Sequence, residues 1–235
     1  MTYIETILVT HDQSMTFTGH EEENATLSTM TLPTWVSELE DKPAPMPLLL
    51  VQSFVNTLDR DNDTDRLASD DDARAWLIEA GLLDAPAAAR TRSDGLTLAR
   101  QVRESIRALI GHGTAEPVTA EPVTAELTAT ELGPLNTLLA LAQPPLDVTP
   151  DGMVRLCHGP AGRLADALVI LLLIIRDAQA DGSWDRLKLC SNPDCRWAFY
   201  DRSHSRRGQW CDMTTCGNRI KNRNLRARRA LQSQD

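Results

Sequence analysis

Four of the five cysteines in the chain stand in two pairs near its C-terminus. Cys190 pairs with Cys195 and Cys211 with Cys216; four residues separate the members of each pair, and 15 residues separate the pairs. Two such pairs around a short loop can enclose one tetrahedral Zn²⁺ through four thiolates. Because four protein ligands leave no coordination position for water, we predict one structural Zn²⁺ and not a catalytic metal.

Two disulfides, or four unrelated thiols, are the alternatives to a metal site. The N-terminal sequence MTYIE lacks the basic segment and apolar run of a secretion signal. The longest apolar run, residues 167–175, has nine residues, whereas a membrane span needs about 20. We therefore expect a cytoplasmic protein without a membrane partner. In that compartment thiols stay reduced, which favours zinc over disulfides.

The charge of the chain is divided unevenly along its length. Residues 184–235 carry 12 Lys and Arg against 5 Asp and Glu, a net charge of +7, whereas residues 1–183 carry a net charge of −16. A basic segment beside an acidic body favours a polyanionic partner for the basic segment alone. Arginine side chains bind phosphates and guanine edges well. We predict contacts with double-stranded DNA from Arg202, Arg206, Arg207, Arg219, Lys221, Arg223, Arg226, Arg228 and Arg229.

The elements that must position these residues follow from hydrophobic periodicity and breaker residues. Helices are predicted at residues 33–40, 48–58, 69–81, 96–110, 131–141 and 163–180. Hairpins are predicted at residues 4–18 and 146–157. Ser69 and Asp72 have the spacing of a capping box at the start of the third helix. The fold class predicted for the N-terminal part is α+β, mainly helical, with a few short strands.

The C-terminal part is predicted to be a treble-clef-like zinc finger. Residues 190–195 form a turn that carries the first two ligands, and Cys216 lies in the first turn of a basic C-terminal helix. Between the two cysteine pairs, the aromatic stretch 196–201 is predicted to form a hairpin with residues 209–210. A module this small needs the metal to fold.

Two domains are predicted: residues 1–183 and residues 184–235. Within the first, residues 1–45 form an extension. Residues 114–126 form a flexible insertion, because the sequence AEPVT occurs twice in succession at 115–124.

Several motifs resemble one known family. The segments LCSNPDC (189–195) and WCDMTTCGNR (210–219) resemble the CGNR zinc finger. Upstream, FVNTL (54–58) and ARAWL (73–77) resemble the ABATE domain, which precedes that finger in stress-induced bacterial transcription regulators. The resemblance covers about residues 46–231. The family pattern has Leu-Asp before FVNT, where this chain has Gln52-Ser53.

The resemblance implies a bacterial transcription regulator that binds DNA and is associated with the nucleoid. For the N-terminal domain two roles remain open: sensing of a small-molecule or stress signal, and formation of a homodimer. A rival interpretation is a protein-interaction adaptor whose basic finger binds an acidic partner. The sequence lacks phosphate-binding, dinucleotide-binding, zinc-protease and serine-hydrolase motifs. We therefore expect no enzymatic activity.

Overall fold

A computed structural model describes residues 32–113, 126–143, 146–148, 154–156 and 161–232. The hairpin predicted at 4–18, most of the extension and the AEPVT repeats lie outside these residues. The described helices are α1 Leu48–Val55, α2 Asp70–Glu79, α3 Ala85–Arg90, α4 Ser93–Gly113, α5 Ala129–Leu141, α6 Leu164–Asp181 and α7 Asn218–Gln232. The described strands are β1 Leu58–Asp59, β2 Thr64–Asp65, β3 Leu146–Val148, β4 Val154–Leu156, β5 Leu187–Leu189 and β6 Ala198–Tyr200.

The strands form three separate antiparallel pairs, β1 with β2, β3 with β4, and β5 with β6. The mainly helical α+β fold class is therefore confirmed, and β3 and β4 are the strands of the hairpin predicted at 146–157. No described helix combines the length and the apolar content that crossing a membrane requires.

Side-chain caps explain where two helices begin. The Ser69 hydroxyl accepts a hydrogen bond from the Asp72 backbone N–H at 3.1 Å, as predicted for α2, but it donates its own proton to the Asp72 carboxylate at 2.5 Å. The predicted reciprocal bond to the Ser69 backbone is thus replaced by a bond between side chains. A complete capping box occurs instead at α5, between Thr128 and Glu131.

The helix predicted at residues 33–40 is absent, and this prediction was wrong. The segment consists of turns, and Trp35 lies in the core. Its carbonyl accepts hydrogen bonds from the Trp76 indole at 3.1 Å and from the Arg66 guanidinium at 2.8 Å. Side chains from distant parts of the sequence therefore occupy the Trp35 carbonyl, which in a helix would accept a backbone N–H. Short helix α3 was missed, because six residues of sequence APAAAR show no clear apolar period.

Helix α4 is the centre of the packing. It contacts α1, α2, α5, α6 and strand β5. One continuous apolar core contains residues from these helices together with Leu187, Leu189 and Ala198 from the hairpin β5–β6. The hairpin that leads into the first cysteine pair is therefore packed into the core of the helical body.

Candidate zinc centre and basic helix

The four paired cysteines converge on one point. Their sulfur atoms all lie within 4.8 Å of one another. The Cys195 and Cys211 sulfurs are 3.7 Å apart, and those of Cys211 and Cys216 are 3.8 Å apart. A tetrahedral zinc with Zn–S bonds of about 2.3 Å has sulfur–sulfur edges of roughly 3.8 Å. A disulfide would need about 2.05 Å, so the thiols are free and the donor set fits one structural Zn²⁺.

The thiols need a cation to be ionised together. Hydrogen bonding to Cys190 and burial raise the pKa of Cys195. Hydrogen bonding to Cys190 and to Cys195 raises the pKa of Cys211. Four thiolates this close repel one another unless a metal ion compensates their charge. Three of the cysteines are buried and Cys211 is half-buried, as expected for a structural site.

Asn192 shapes the turn that carries the first two ligands. The backbone carbonyl of Asn192 accepts hydrogen bonds from the backbone N–H groups of Cys195 and Arg196, each at 3.1 Å. Arg196 takes the left-handed conformation with φ of 55°. The buried Asn192 amide also donates to the Cys216 sulfur at 3.7 Å. One side chain therefore connects the two halves of the metal site and orients a ligand.

The hairpin of the finger differs from the prediction. Strand β6 pairs with β5, in the register Leu187↔Tyr200, and so the hairpin flanks the first ligand pair. Residues 196–201 do not form the predicted hairpin with residues 209–210. Residues 209–210 are instead attached to the first ligand turn by a hydrogen bond from the Ser191 N–H to the Gln209 carbonyl at 2.8 Å. The buried Leu187 and Leu189 give β5 an apolar face that residues 209–210 lack.

A single π-helical turn, Met213–Gly217, carries the last ligand. Asp212 caps this turn by accepting the Thr214 N–H at 2.9 Å, and the Thr214 hydroxyl helps to lower the pKa of Asp212 to about 2. A Cβ atom on Gly217 would lie 2.5 Å from the Met213 sulfur and 3.2 Å from the Trp210 ring. Gly217 therefore lies in close contact with Met213 and Trp210.

The predicted DNA-contacting residues of α7 are all exposed. Arg219, Arg223 and Arg226 follow at spacings of four and three, which places them on one face of the helix. They line a common surface groove together with Asn222. Lys221 and Arg228 lie on the opposite side of the helix, and Arg229 follows Arg226 by three positions at the edge of the groove face.

Two of these arginines bind carboxylates of the protein itself. Arg219 forms an ion pair with Asp61 in the turn between β1 and β2. Arg223 forms one with Asp194, at 2.8 Å, in the turn of the first ligand pair. Both pairs are partly exposed, so each contributes little to stability.

Asp201 fixes the conformation of the loop 201–208, which lies between the two ligand pairs, by accepting hydrogen bonds from its backbone. Although burial opposes its charge, hydrogen bonds from Ser203 and the Gly208 N–H lower the pKa of Asp201 to about 2. Arg206 and Arg207 of this loop are exposed. Arg202 is exposed as well, but it donates to the Pro43 carbonyl at 2.8 Å and lies over the Tyr200 ring.

Sequence reasoning missed one of the residues that attach the finger to the body. The Asn56 amide donates to the Ala198 carbonyl and accepts the Ala198 N–H, each at 2.8 Å. Gln52 adds a bond to the same carbonyl at 3.3 Å. The signal was present in the motif FVNTL, whose asparagine is Asn56. The neighbouring Ser53 hydroxyl, where the family pattern has Asp, is buried without a hydrogen-bond partner.

Comparison with known families agrees with this geometry. The family model of the CGNR zinc finger matches residues 186–229. The ABATE model, described as "Putative stress-induced transcription regulator", matches residues 49–180, more than half of the chain. No curated protein matches the chain.

Proposed function

The chain belongs to the ABATE family and carries a CGNR zinc finger, and from this premise we propose that it is a DNA-binding transcription regulator. The observation that carries the proposal is helix α7, which leaves the zinc centre directly after Cys216 and exposes six cationic side chains. Four thiolate ligands fix the start of this helix, so its charge is held in one orientation relative to the body. Rigid cationic helices of this kind bind the phosphates and groove edges of duplex DNA.

In this proposal the zinc is structural and the acidic body limits nonspecific adhesion to DNA. The ABATE domain then either senses a signal or brings two copies of the chain together. The proposal assigns no catalytic step to the chain.

The test begins with capture of genomic fragments by the zinc-loaded full chain, followed by affinity measurements on an enriched duplex at several salt concentrations. Arg223→Ala/Arg226→Ala removes two cations from the groove face of α7. If both contact phosphates, the slope of log affinity against log salt becomes shallower by about 1.8, at about 0.9 per phosphate.

The matched control is Arg92→Ala/Arg176→Ala, which removes two exposed arginines from the body. This variant has the same change in net charge and is expected to keep the wild-type slope. Equal losses in both variants would show that only total charge matters and would remove α7 from its proposed role. A chain that shifts no duplex at low salt but binds an acidic protein would favour the adaptor interpretation.

A further inference from the structure

A cleft of about 350 Å³ lies where the body meets the finger. Residues 38–42 and the turn between β1 and β2 form its body side, and Trp197, Phe199 and three of the zinc-binding cysteines form its finger side. A cavity of this volume accommodates a small organic molecule. Any molecule bound there would touch both the ABATE domain and the zinc finger.

The cleft is strongly acidic. Six carboxylates line it: Glu38, Glu40, Asp41, Asp59, Asp61 and Asp212. Its two cationic residues are already engaged, Lys42 with the Trp210 carbonyl at 2.7 Å and Arg219 with Asp61. The adjacent zinc centre adds negative charge, because four thiolates exceed the charge of one Zn²⁺. The electrostatic field in the cleft therefore favours a cation.

One carboxylate oxygen in the wall lacks a hydrogen-bond partner. Glu40 is only 6% exposed, and its Oε2 accepts a hydrogen bond from Asn56 at 2.8 Å, whereas its buried Oε1 has no hydrogen-bond partner. Burial raises the pKa of Glu40 to about 7. That rise in pKa is opposed by hydrogen bonding from the Asn56 amide, the Lys42 backbone and the Trp197 indole. None of these groups completes a hydrogen bond to Oε1. Such an oxygen is costly to bury and is an acceptor for an incoming donor.

We propose that the cleft binds a small organic cation with a guanidinium or primary ammonium group, whose N–H donors bind Glu40 and Asp61. The apolar surface of Leu39 and Trp197 covers the carbon part of the ligand. This apolar surface distinguishes the site from a metal site, which would need converging oxygen ligands alone.

The inference deepens the regulatory function proposed above and rests on it for one step only. Because Asp61 also binds Arg219, a ligand that takes Asp61 frees the first arginine of α7 for another anion. Occupation of the cleft itself requires no DNA and can be measured separately.

The test is calorimetric titration of the zinc-loaded full chain with butylguanidinium, and with butylurea as its neutral analogue, at constant ionic strength. We expect butylguanidinium to bind at least about tenfold more tightly, the factor typical of one charge-assisted hydrogen bond. Glu40→Gln retains an oxygen for Asn56 and should reduce that preference several-fold, because Asp61 and the other carboxylates of the cleft remain. Asp177→Asn, which removes an exposed carboxylate from α6, should preserve it.

Equal binding of the two compounds, or an unchanged preference in Glu40→Gln, would overturn the proposal. If Glu40→Gln does not fold, Asp61→Asn at the rim of the cleft replaces it, and an unchanged preference there has the same meaning. A chain that binds duplex DNA but shows no preference refutes the ligand site alone. A chain that binds butylguanidinium but no DNA refutes the proposed function alone.

Discussion

Replacing Asn56 by alanine should weaken the attachment of the finger hairpin to the body without touching the metal ligands. The Asn56 side chain makes three buried hydrogen bonds, two with the backbone of Ala198 and one with Glu40. In Asn56→Ala the Ala198 carbonyl retains the weaker bond from Gln52 at 3.3 Å. The Ala198 N–H and the Glu40 carboxylate lose their partner in a buried environment.

The expected cost follows from those two orphaned groups. A buried polar group without a partner costs about 1–3 kcal/mol, and more when it is charged. We therefore expect Asn56→Ala to reduce the free energy of unfolding by about 3–4 kcal/mol. This is a large fraction of the roughly 5–15 kcal/mol that stabilises a typical domain.

The assay is urea unfolding of the zinc-loaded chain, followed by circular dichroism, with zinc content measured before and after. Hydrogen exchange gives a local readout, because the Ala198 amide should lose protection. The control is Asn222→Ala, an exposed position on α7, where a change within about 0.5 kcal/mol is expected. A loss below about 1 kcal/mol in Asn56→Ala, with an unchanged Ala198 amide, would refute the anchoring role.

Three further changes test other contacts. Asp61→Asn breaks an exposed ion pair with Arg219 and should raise affinity for duplex DNA up to about fivefold; unchanged affinity would separate that pair from DNA binding. Gly208→Ala places a Cβ 2.8 Å from the Asp201 carboxylate, and thermal unfolding should show a loss of about 1–3 kcal/mol. Burial raises the pKa of Glu40 from 4.5 to about 7, so stability falls as pH rises between those values. Glu40→Gln removes that fall, and its advantage in urea unfolding should grow between about pH 4.5 and 7, to at most about 3 kcal/mol; a constant difference would contradict the raised pKa of Glu40.

The zinc centre and several helix ends were predictable because the determining signals are local. Cysteine spacing alone brings two ligands onto each short turn, and Ser69 caps α2 through a residue three positions away. The same holds for α6, whose apolar sequence and terminal glycine define both ends within about one residue. No knowledge of distant contacts was needed for these elements.

The parts that were missed depend on contacts far apart in sequence. Residues 33–40 lose their helix because Trp76 and Arg66 bind the Trp35 carbonyl, more than 30 positions away in each case. The partner of β6 was misassigned because Leu187 and Leu189 are selected by burial against the helical body. A sequence pattern records the propensity of each segment but not which distant segment buries it.

In the proposed function, the attachment of the finger gives a signal at the body a route to α7. Asn56 binds both Glu40 in the wall of the cleft and Ala198 in strand β6, and Asp61 binds Arg219 in the first turn of α7. The proposed ligand site and the proposed DNA surface therefore share contacts. Their coupling must be reciprocal: a cation that strengthens DNA binding is itself bound more tightly by the DNA complex, by the same factor. Since the shared ion pair is exposed, that factor should stay within about fivefold unless Asn56 also changes its contacts.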